Sequence, residues 1–162
     1  GMAFDETDGH VDDVCFFVRP GVVALSWTDD VNNPHYKPLK EAYDILSSET
    51  DARGRRLEIH KIPLPDILHI TEEENAGIDI CEAAASRVAG LPLAVTYINC
   101  YFMNHALLVP QYGDPMDQVA CDLYAKLMPD RQIIKIWTRE WSLCGGNIHC
   151  MALQQPDPAP RQ

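Results

Sequence analysis

The sequence lacks the features of membrane and secreted proteins. No apolar run approaches the roughly 18–20 residues that a membrane-spanning helix needs. The six cysteines form no Cys-x-x-Cys pair, and the N-terminus lacks the basic and apolar regions of a signal peptide. These absences predict no membrane association, free thiols and a cytoplasmic location.

Basic residues are also few. The chain has 13 Lys and Arg against 24 Asp and Glu, which gives a formal net charge of −11. Because phosphate backbones bind basic surfaces, this balance argues against a nucleic-acid partner. It suits a cationic substrate, although many proteins are acidic for solubility alone.

The length of 162 residues and the apolar fraction of 46% are sufficient for one domain with a hydrophobic core. We predict an α/β domain over residues 1–156. The last residues, 157–162, follow and include several prolines, and we predict that they form a disordered tail.

Two stretches repeat one plan. In the first, predicted strands at 14–18 and 22–27 precede a helix with apolar residues between 39 and 46, and a strand at 57–62 follows.

In the second stretch, predicted strands at 94–102 and 106–110 precede a helix ending near 127 and a strand at 132–137. Asp114 is the predicted N-cap of this helix and Pro115 its first residue. Both stretches therefore read strand, strand, helix, strand, about 80 residues apart, which indicates an internal repeat.

Two further elements are predicted outside the repeated plan. Residues 70–89 have a helical pattern that opens with a capping box formed by Thr71 and Glu74. Residues 147–153 look like the first strand of a third unit.

Two polar, glycine-bearing segments next to apolar runs are candidates for chemistry. In Glu6-Thr-Asp-Gly-His-Val-Asp12, strand alternation would put His10 and Asp12 on one face. In Gly145-Gly-Asn-Ile-His-Cys150, the glycines permit a tight turn or close backbone approach before Cys150. Alternation would turn His149 away from Cys150, so a structural role is predicted for His149.

The segment Gly145-Gly-Asn-Ile-His-Cys150, followed by Gln154-Gln-Pro156, resembles the nucleophile motif of the agmatine deiminase and bacterial-type peptidyl-arginine deiminase family. The segment ending at Asp12 resembles the histidine motif of that family. Further similar segments lie between them in the same order: Asp29-Asp30, Thr71-Glu-Glu-Glu74, Tyr97-Ile-Asn99 and Val109-Pro-Gln-Tyr-Gly-Asp114. The resemblance covers essentially the whole chain and corresponds to the C-terminal half of family members.

The resemblance implies a fold and an activity. The family has a pentein-type α/β propeller of five ββαβ modules around an axis, of which this chain would hold about two and a fraction. The implied reaction is the hydrolysis of agmatine to N-carbamoylputrescine and ammonia through a covalent cysteine thiouronium intermediate, without a cofactor.

The resemblance also implies roles for individual residues. Cys150 would be the nucleophile and His10 the general acid and base. Asp12, Gly146 and Asn147 would bind the substrate. For Glu6 and Asp8 we expect a role in orienting His10 or capping the loop.

A zinc site built from His10, Asp12, His149 and Cys150 is the main rival interpretation. We expect no metal there, because neighbouring side chains on a strand point apart and no zinc-binding spacing is present.

Two acidic segments of the family are absent from this sequence: an Arg-Asp segment followed by Gly-Pro, and a Glu-Gly-Gly segment. Three interpretations stay open: an inactive fragment, a half-length subunit completed by a homo-oligomer or by an N-terminal half, and a non-catalytic guanidine-binding module. A peptidyl-arginine deiminase is the enzymatic alternative to an agmatine deiminase.

Overall fold

A computed structural model of the chain describes residues 1–5, 9–79 and 87–155. The tail 157–162 and the residues Glu6 and Asp8 lie outside the described residues. The elements, in chain order, are a 3-10 helix Val11–Asp13, β1 Cys15–Arg19, β2 Val22–Trp27, α1 Tyr36–Ser48, β3 Glu58–Pro63, α2 Glu72–Ala76, β4 Tyr101–Met103, β5 Ala106–Gln111, α3 Met116–Leu127, β6 Gln132–Trp137 and α4 Arg139–Ser142.

The strands form two three-stranded sheets with the same topology. In the order β1-β2-β3 and in the order β4-β5-β6, the first pair is antiparallel and the second pair is parallel. The parallel pairs join residues 22–27 to 58–63 and residues 106–111 to 132–137. Because parallel strands need a crossover connection, each pair is linked through a helix, α1 or α3. The predicted strand–strand–helix–strand plan is confirmed for both units.

The core lies around the two central strands and extends between the units. Every residue of β2 is buried, as expected for a strand covered on both faces. Tyr97 and Tyr124 are fully buried. Phe16 of the first unit contacts Phe102 and Tyr124 of the second, with ring centroids 5.2 Å and 5.9 Å apart. The two units therefore share one apolar core.

Three predicted strands are wrong in extent or kind. Residues 10–12 precede or form a 3-10 helix, and residues 147–153 form a turn rather than a strand. Of the strand predicted at 94–102, only its end forms β4. The apolar residues of 95–100 are buried, whereas Val11, Met151 and Leu153 are exposed. A strand also needs a neighbour for its backbone groups, which local pattern does not reveal.

The two helix starts that carry capping signals agree with the sequence. Thr71 and Glu74 form the predicted capping box, although the described part of that helix is limited to Glu72–Ala76 and residues 80–86 lie outside the described residues. The helix α3 begins one residue later than predicted, after Pro115. The Asp114 carboxylate still accepts a hydrogen bond from the Met116 N–H at 2.7 Å.

None of the helices in the described ranges is both long enough and apolar enough to span a bilayer.

Candidate active site

Two of the residues singled out in the sequence meet across the fold. Asp12 lies in the 3-10 helix before β1, and Cys150 lies in the turn that follows α4. The Cys150 thiol donates to Asp12 Oδ2 across a separation of 3.3 Å, although the residues are 138 positions apart in the chain. A thiol and a carboxylate thus share one site, and the Cys150 side chain is exposed to solvent.

His149 also reaches this site, which corrects its prediction. Its Nδ1 atom lies 2.8 Å from Asp12 Oδ2. The expectation that His149 points away from Cys150 is wrong because the segment is a turn, where neighbouring side chains need not alternate between two faces. The same correction removes the alternation argument against a shared metal. Within the described residues, no group of three or more His, Cys, Asp or Glu side chains is arranged to hold a metal ion.

His10 lies on the solvent side of Asp12. Its Nδ1 atom is 3.8 Å from Asp12 Oδ1, and 59% of its side chain is exposed. This distance allows an ion pair when His10 is protonated but is long for a hydrogen bond. The His10 side chain therefore lies close to Asp12 and is still mostly open to solvent.

The turn before Cys150 depends on glycine. The backbone of Gly145 has a φ of +78°, a left-handed conformation that favours glycine. At Gly146, an added Cβ would lie 2.9 Å from Cys150 Cβ and 3.4 Å from Cys150 Sγ. The close approach expected from Gly145-Gly146 is therefore present, and Gly146 leaves the space that the thiol occupies.

Asn147 anchors this turn to the core. Its side chain is buried, and its Nδ2 donates to the Tyr112 hydroxyl at 2.9 Å and to Ser142 Oγ at 3.1 Å. Its Oδ1 accepts from the Ile148 N–H at 2.8 Å. The Asn147 amide is thus bonded within the protein on both ends.

Asn99 is the residue at this site to which the sequence assigned no role. It is fully buried, and its Nδ2 donates to Cys150 Sγ at 3.0 Å and to Asp12 Oδ2 at 3.3 Å. Its Oδ1 accepts from the backbone N–H groups of His149 and Cys150, at 2.9 Å and 3.3 Å. A polar residue inside the apolar run 94–102, within a segment similar to the family, is the signal that could have identified it.

Burial and the hydrogen bonds that each group accepts act in opposite directions on the pKa values of Asp12 and Cys150. Partial burial by itself would raise the pKa of Asp12, but hydrogen bonds from His149 and Cys150 together outweigh it and hold the pKa below its usual value. For Cys150, desolvation and the neighbouring Asp12 carboxylate raise the pKa of the thiol, against lowering hydrogen bonds from Asn147 and Asn99. In the free protein, Asp12 is therefore ionised at neutral pH and Cys150 is mainly a thiol.

A second carboxyl group lies behind the first. Burial raises the pKa of Asp13 to about 6, against a hydrogen bond from Thr96, and the charge of Asp12 adds to the rise. Asp13 Oδ1 accepts from the Thr96 hydroxyl at 3.0 Å. Asp13 thus links the approach to β1 with the irregular segment that carries Asn99.

An apolar cavity of about 340 Å³ opens beside the site. Asp12 and His149 contribute to its polar rim. Its other lining residues are Val11, Cys15, Phe16, Phe17, Val23, Leu46, Ile98, Cys100 and Phe102. The cavity is therefore bounded by both units and borders the polar group.

Known proteins resemble this chain over its whole length. An agmatine deiminase of Pseudomonas putida is 44% identical over 161 residues, which are 99% of this chain and 44% of the relative. One from Pseudomonas fluorescens is 43% identical over 158 residues, or 98% of this chain and 43% of the relative. The chain thus spans less than half the length of these curated relatives.

A solved structure of an agmatine deiminase of Enterococcus faecalis, described as catalyzing its reaction, has the same fold. It superposes with a TM-score of 0.88 at 38% identity, over 95% of this chain and 42% of that one. Residues 1–156 match the family of Porphyromonas-type peptidyl-arginine deiminases. With this match over nearly the full sequence, the chain belongs to the Porphyromonas-type peptidyl-arginine deiminase family.

Proposed function

We propose that this chain provides the nucleophile-bearing part of a guanidine-modifying hydrolase that converts agmatine to N-carbamoylputrescine and ammonia. The observation that carries the proposal is the convergence of the Cys150 thiol and the Asp12 carboxylate, 3.3 Å apart, with His10 beside Asp12. The agmatine deiminases among its relatives support agmatine as the substrate.

The first half of the reaction forms a covalent intermediate. The ionised Asp12 binds the guanidinium by charge-assisted hydrogen bonds, which orient its plane. The Cys150 thiolate attacks the central carbon, and the C–N bond to one terminal nitrogen breaks. His10 gives that nitrogen a proton, so ammonia leaves and an S-alkylthiouronium remains on Cys150.

The second half releases the product. His10, now neutral, takes a proton from a water molecule that attacks the thiouronium carbon. The C–S bond breaks and Cys150 leaves as a thiolate. The hydroxyl on the carbon loses its remaining proton to solvent, where it converts the released ammonia to ammonium, and the carbon becomes the carbonyl of the ureido product. His10 returns to its protonated form, and one water is consumed for each ammonia released.

The substrate itself favours the reactive form of Cys150. In the free protein, desolvation and the charge of Asp12 raise the pKa of the thiol. A bound guanidinium offsets the charge of Asp12 and so lowers that pKa again. The nucleophile is therefore ionised mainly when substrate is present, which protects the exposed thiol from other reactions.

A complementing polypeptide completes the site in this proposal. Asp12 is one carboxylate, whereas a guanidinium presents N–H groups around its whole plane. The apolar cavity next to Asp12 is bordered by Val11 and Phe17, which are 63% and 57% exposed. We propose that this face is covered by the part of the family fold that this chain does not match, so that the two ββαβ units are modules of a five-module propeller.

Peptidyl-arginine is the second candidate substrate, because the family that the chain matches is described by that activity. The two candidates are distinguished by comparing agmatine, which carries a free primary amine at the end opposite the guanidinium, with an arginine-containing peptide. Turnover of agmatine with none of an arginine-containing peptide supports the first candidate, and the reverse supports the second.

The main experiment measures ammonia release from agmatine by the purified chain, alone and mixed with the N-terminal portion of the Pseudomonas putida relative. We expect little release by the chain alone and clear release by the mixture. Cys150→Ser should abolish the release, because no thiolate remains. Cys144→Ser is the matched control: it removes an exposed cysteine from the same segment and should leave the release unchanged.

Two outcomes would contradict parts of the proposal. Release that persists in Cys150→Ser excludes Cys150 as the nucleophile. Strong release by the chain alone, lost in Cys150→Ser, contradicts the need for a separate complementing part; light scattering would then be expected to show an oligomer. Binding of agmatine by the mixture without any turnover would favour a non-catalytic guanidine-binding module.

His10→Ala tests the acid and base roles separately. If ammonia can leave without the proton of His10, the thiouronium adduct on Cys150 should form, persist and be detected as a mass increase on the peptide that contains this residue. If the first step also needs that proton, neither the adduct nor ammonia should form. Rapid turnover with no adduct in His10→Ala would exclude His10 from both steps.

A further inference from the structure

Asn99 is the point where the separate parts of the site are tied together. It lies in the irregular segment before β4 and is fully buried. A buried carboxamide without partners is destabilising, so its contacts define its orientation. The amide of Asn99 contacts Asp12 and Cys150 with its nitrogen and the backbone of residues 149 and 150 with its oxygen.

These contacts permit one orientation of the amide. The two N–H groups of Nδ2 match the two acceptors, Cys150 Sγ and Asp12 Oδ2. The carbonyl oxygen matches two backbone donors. A flipped amide would face a carboxylate with its oxygen and backbone N–H groups with its own N–H groups, and both contacts would be repulsive.

The hydrogen bonds that Asn99 accepts from backbone N–H groups take the place of those that a neighbouring strand would provide. Residues 147–153 form a turn and not a strand, so their N–H groups need other acceptors. Asn99 Oδ1 accepts from the N–H groups of His149 and Cys150, and the Asn99 backbone carbonyl accepts a second, longer bond of 3.4 Å from His149. The position of the nucleophile therefore depends on the position of Asn99.

The nitrogen side affects the charge of the thiol. An N–H group that points at sulfur stabilises a thiolate more than a neutral thiol. A carboxylate in the same place would do the opposite, since it would add a second negative charge beside Asp12. Asn supplies the acceptor that the turn needs and the donor that the sulfur needs, whereas Leu supplies neither and Asp supplies only the acceptor.

We propose that Asn99 is a positioning residue of the active site, which holds the Cys150 sulfur next to Asp12 and favours its ionised form. This inference rests on the proposed role of Cys150 as the nucleophile. Asn99 acts through Cys150 and Asp12 and need not touch the substrate.

The experiment measures the pH dependence of Cys150 alkylation by iodoacetamide in the full 162-residue chain, with the modified peptides quantified by mass spectrometry. Asn99→Asp keeps the acceptor for the two backbone N–H groups, loses the donor and adds a negative charge beside Asp12, whereas Asn99→Leu loses the donor without adding charge. We expect the midpoint of the alkylation profile to rise and the rate at pH 7.5 to fall about tenfold, as for a lost hydrogen bond to a charged group.

Asn99→Leu is the second variant. In Asn99→Asp, a protonated carboxyl group could again donate a hydrogen bond, whereas leucine has no polar group that could do so. It should raise the midpoint in the same direction. If it does not fold, as judged by circular dichroism, Asn99→Asp still decides the question. A folded Asn99→Asp chain with the wild-type midpoint would overturn the proposal.

Two controls separate positioning from general damage. Cys144 is an exposed thiol six positions before Cys150, so its alkylation in the same samples should be unchanged. Gln111→Leu removes another buried amide that contacts a cysteine, with Nε2 3.5 Å from Cys121 Sγ. It should lower stability and leave the Cys150 midpoint in place; a shift as large as that of Asn99→Asp would indicate an indirect effect and overturn the assignment.

The alkylation profile needs neither substrate nor turnover, so it distinguishes two kinds of failure. If the complemented chain is inactive but Asn99→Asp raises the midpoint, the proposed function fails and the positioning of the thiol by Asn99 stands. If turnover depends on Cys150 but the midpoint does not move, the role of Asn99 fails and the proposed function stands.

Discussion

The first unit, β1-β2-α1-β3, and the second unit, β4-β5-α3-β6, have the same topology but bury their helices differently. Helix α3 buries Ala120, Cys121 and Tyr124, whereas α1 buries only Leu39. The cause is position: α3 contacts β3 of the first unit as well as its own sheet, while α1 contacts β2 and β3 of its own unit and packs Leu39 against Met2 and Leu64. Equal patterns along the chain thus lead to unequal burial in the fold.

The two units also divide the site between them. The approach to the first sheet supplies the titratable groups His10, Asp12 and Asp13. The approach to the second sheet supplies the neutral donors Thr96 and Asn99, which bond to those carboxylates. The comparison indicates that the first unit supplies the charged groups of the site and the second unit supplies the uncharged donors that bind them.

The largest expected effect tests the burial of the two helices. Tyr124→Ala should lower the free energy of unfolding by about 3–5 kcal/mol, because it empties a fully buried position and breaks the hydrogen bond of the hydroxyl to the Tyr97 carbonyl. Tyr43→Ala, which removes a half-buried tyrosine of α1, should lower it by only about 1 kcal/mol. Urea denaturation measures both, and equal losses would contradict the difference between the units.

The next effect concerns the turn that holds Cys150 against the second unit. Gly146→Ala should lower the free energy of unfolding by about 1–3 kcal/mol and slow Cys150 alkylation, since the new Cβ would lie 2.9 Å from Cys150 Cβ. At Gly77 an added Cβ would meet its nearest atom at 3.6 Å. Gly77→Ala is therefore the control, and we expect it to change neither quantity appreciably.

The contact between the units should depend on pH through Asp13. Its pKa is about 6 in the folded chain, above the ordinary 3.8, so folding favours the protonated carboxyl. The stability that the protonated Asp13 contributes to the folded chain is fully present below pH 3.8 and is lost as the pH rises through 6. Asp13→Asn should therefore gain about 1–2 kcal/mol relative to wild type between pH 4 and pH 7.

The difference between the two proteins is the useful measure for Asp13, because other groups titrate in the same window. Burial lowers the pKa of His35, so protonation of His35 lowers the free energy of unfolding as the pH falls. This effect is opposite in direction to that of Asp13. Both proteins are denatured at each pH from 4 to 7, and the difference between their free energies of unfolding removes the contribution of His35, which they share. A constant difference over this range would show that Asp13 does not titrate as described.

The smallest effect is expected at the exposed face of α1. Ile45 is 55% exposed, so Ile45→Ser should change the free energy of unfolding by less than about 0.5 kcal/mol. Thermal or urea unfolding of the isolated chain measures this change. A loss well above that amount would show that α1 is packed as closely as α3, and the contrast between the units would disappear.

The regular elements could be predicted closely because their signals are local. The strands β2 and β6 match the predicted bounds, and the helices match the apolar spacing. Apolar periodicity reports which side of an element is buried, and each unit repeats it. The segments 94–100 and 147–153 failed for the converse reason, because a strand depends on a neighbour and no neighbouring strand among the described residues pairs with either segment. The residues Met151 and Leu153 are moreover exposed.

The site was predictable in its residues and not in its contacts. The resemblance pointed to Asp12 and Cys150, and the fold brings their side chains together, whereas the catalytic roles stay predictions. His149 was assigned to the wrong side because its segment was taken as a strand. Asn99 had no assigned role, since a single Asn in an apolar run does not reveal what it will face.

The sequence by itself therefore determined the repeated strand–strand–helix–strand plan, the glycine turn before Cys150 and the residue types available for chemistry. These follow from spacing and side-chain chemistry within short segments. Only the tertiary structure decided that Asp12, Asn99 and Cys150 form one hydrogen-bonded group. Their contacts join positions 51 to 138 residues apart, so they depend on how the two units pack across the shared core and not on any local pattern.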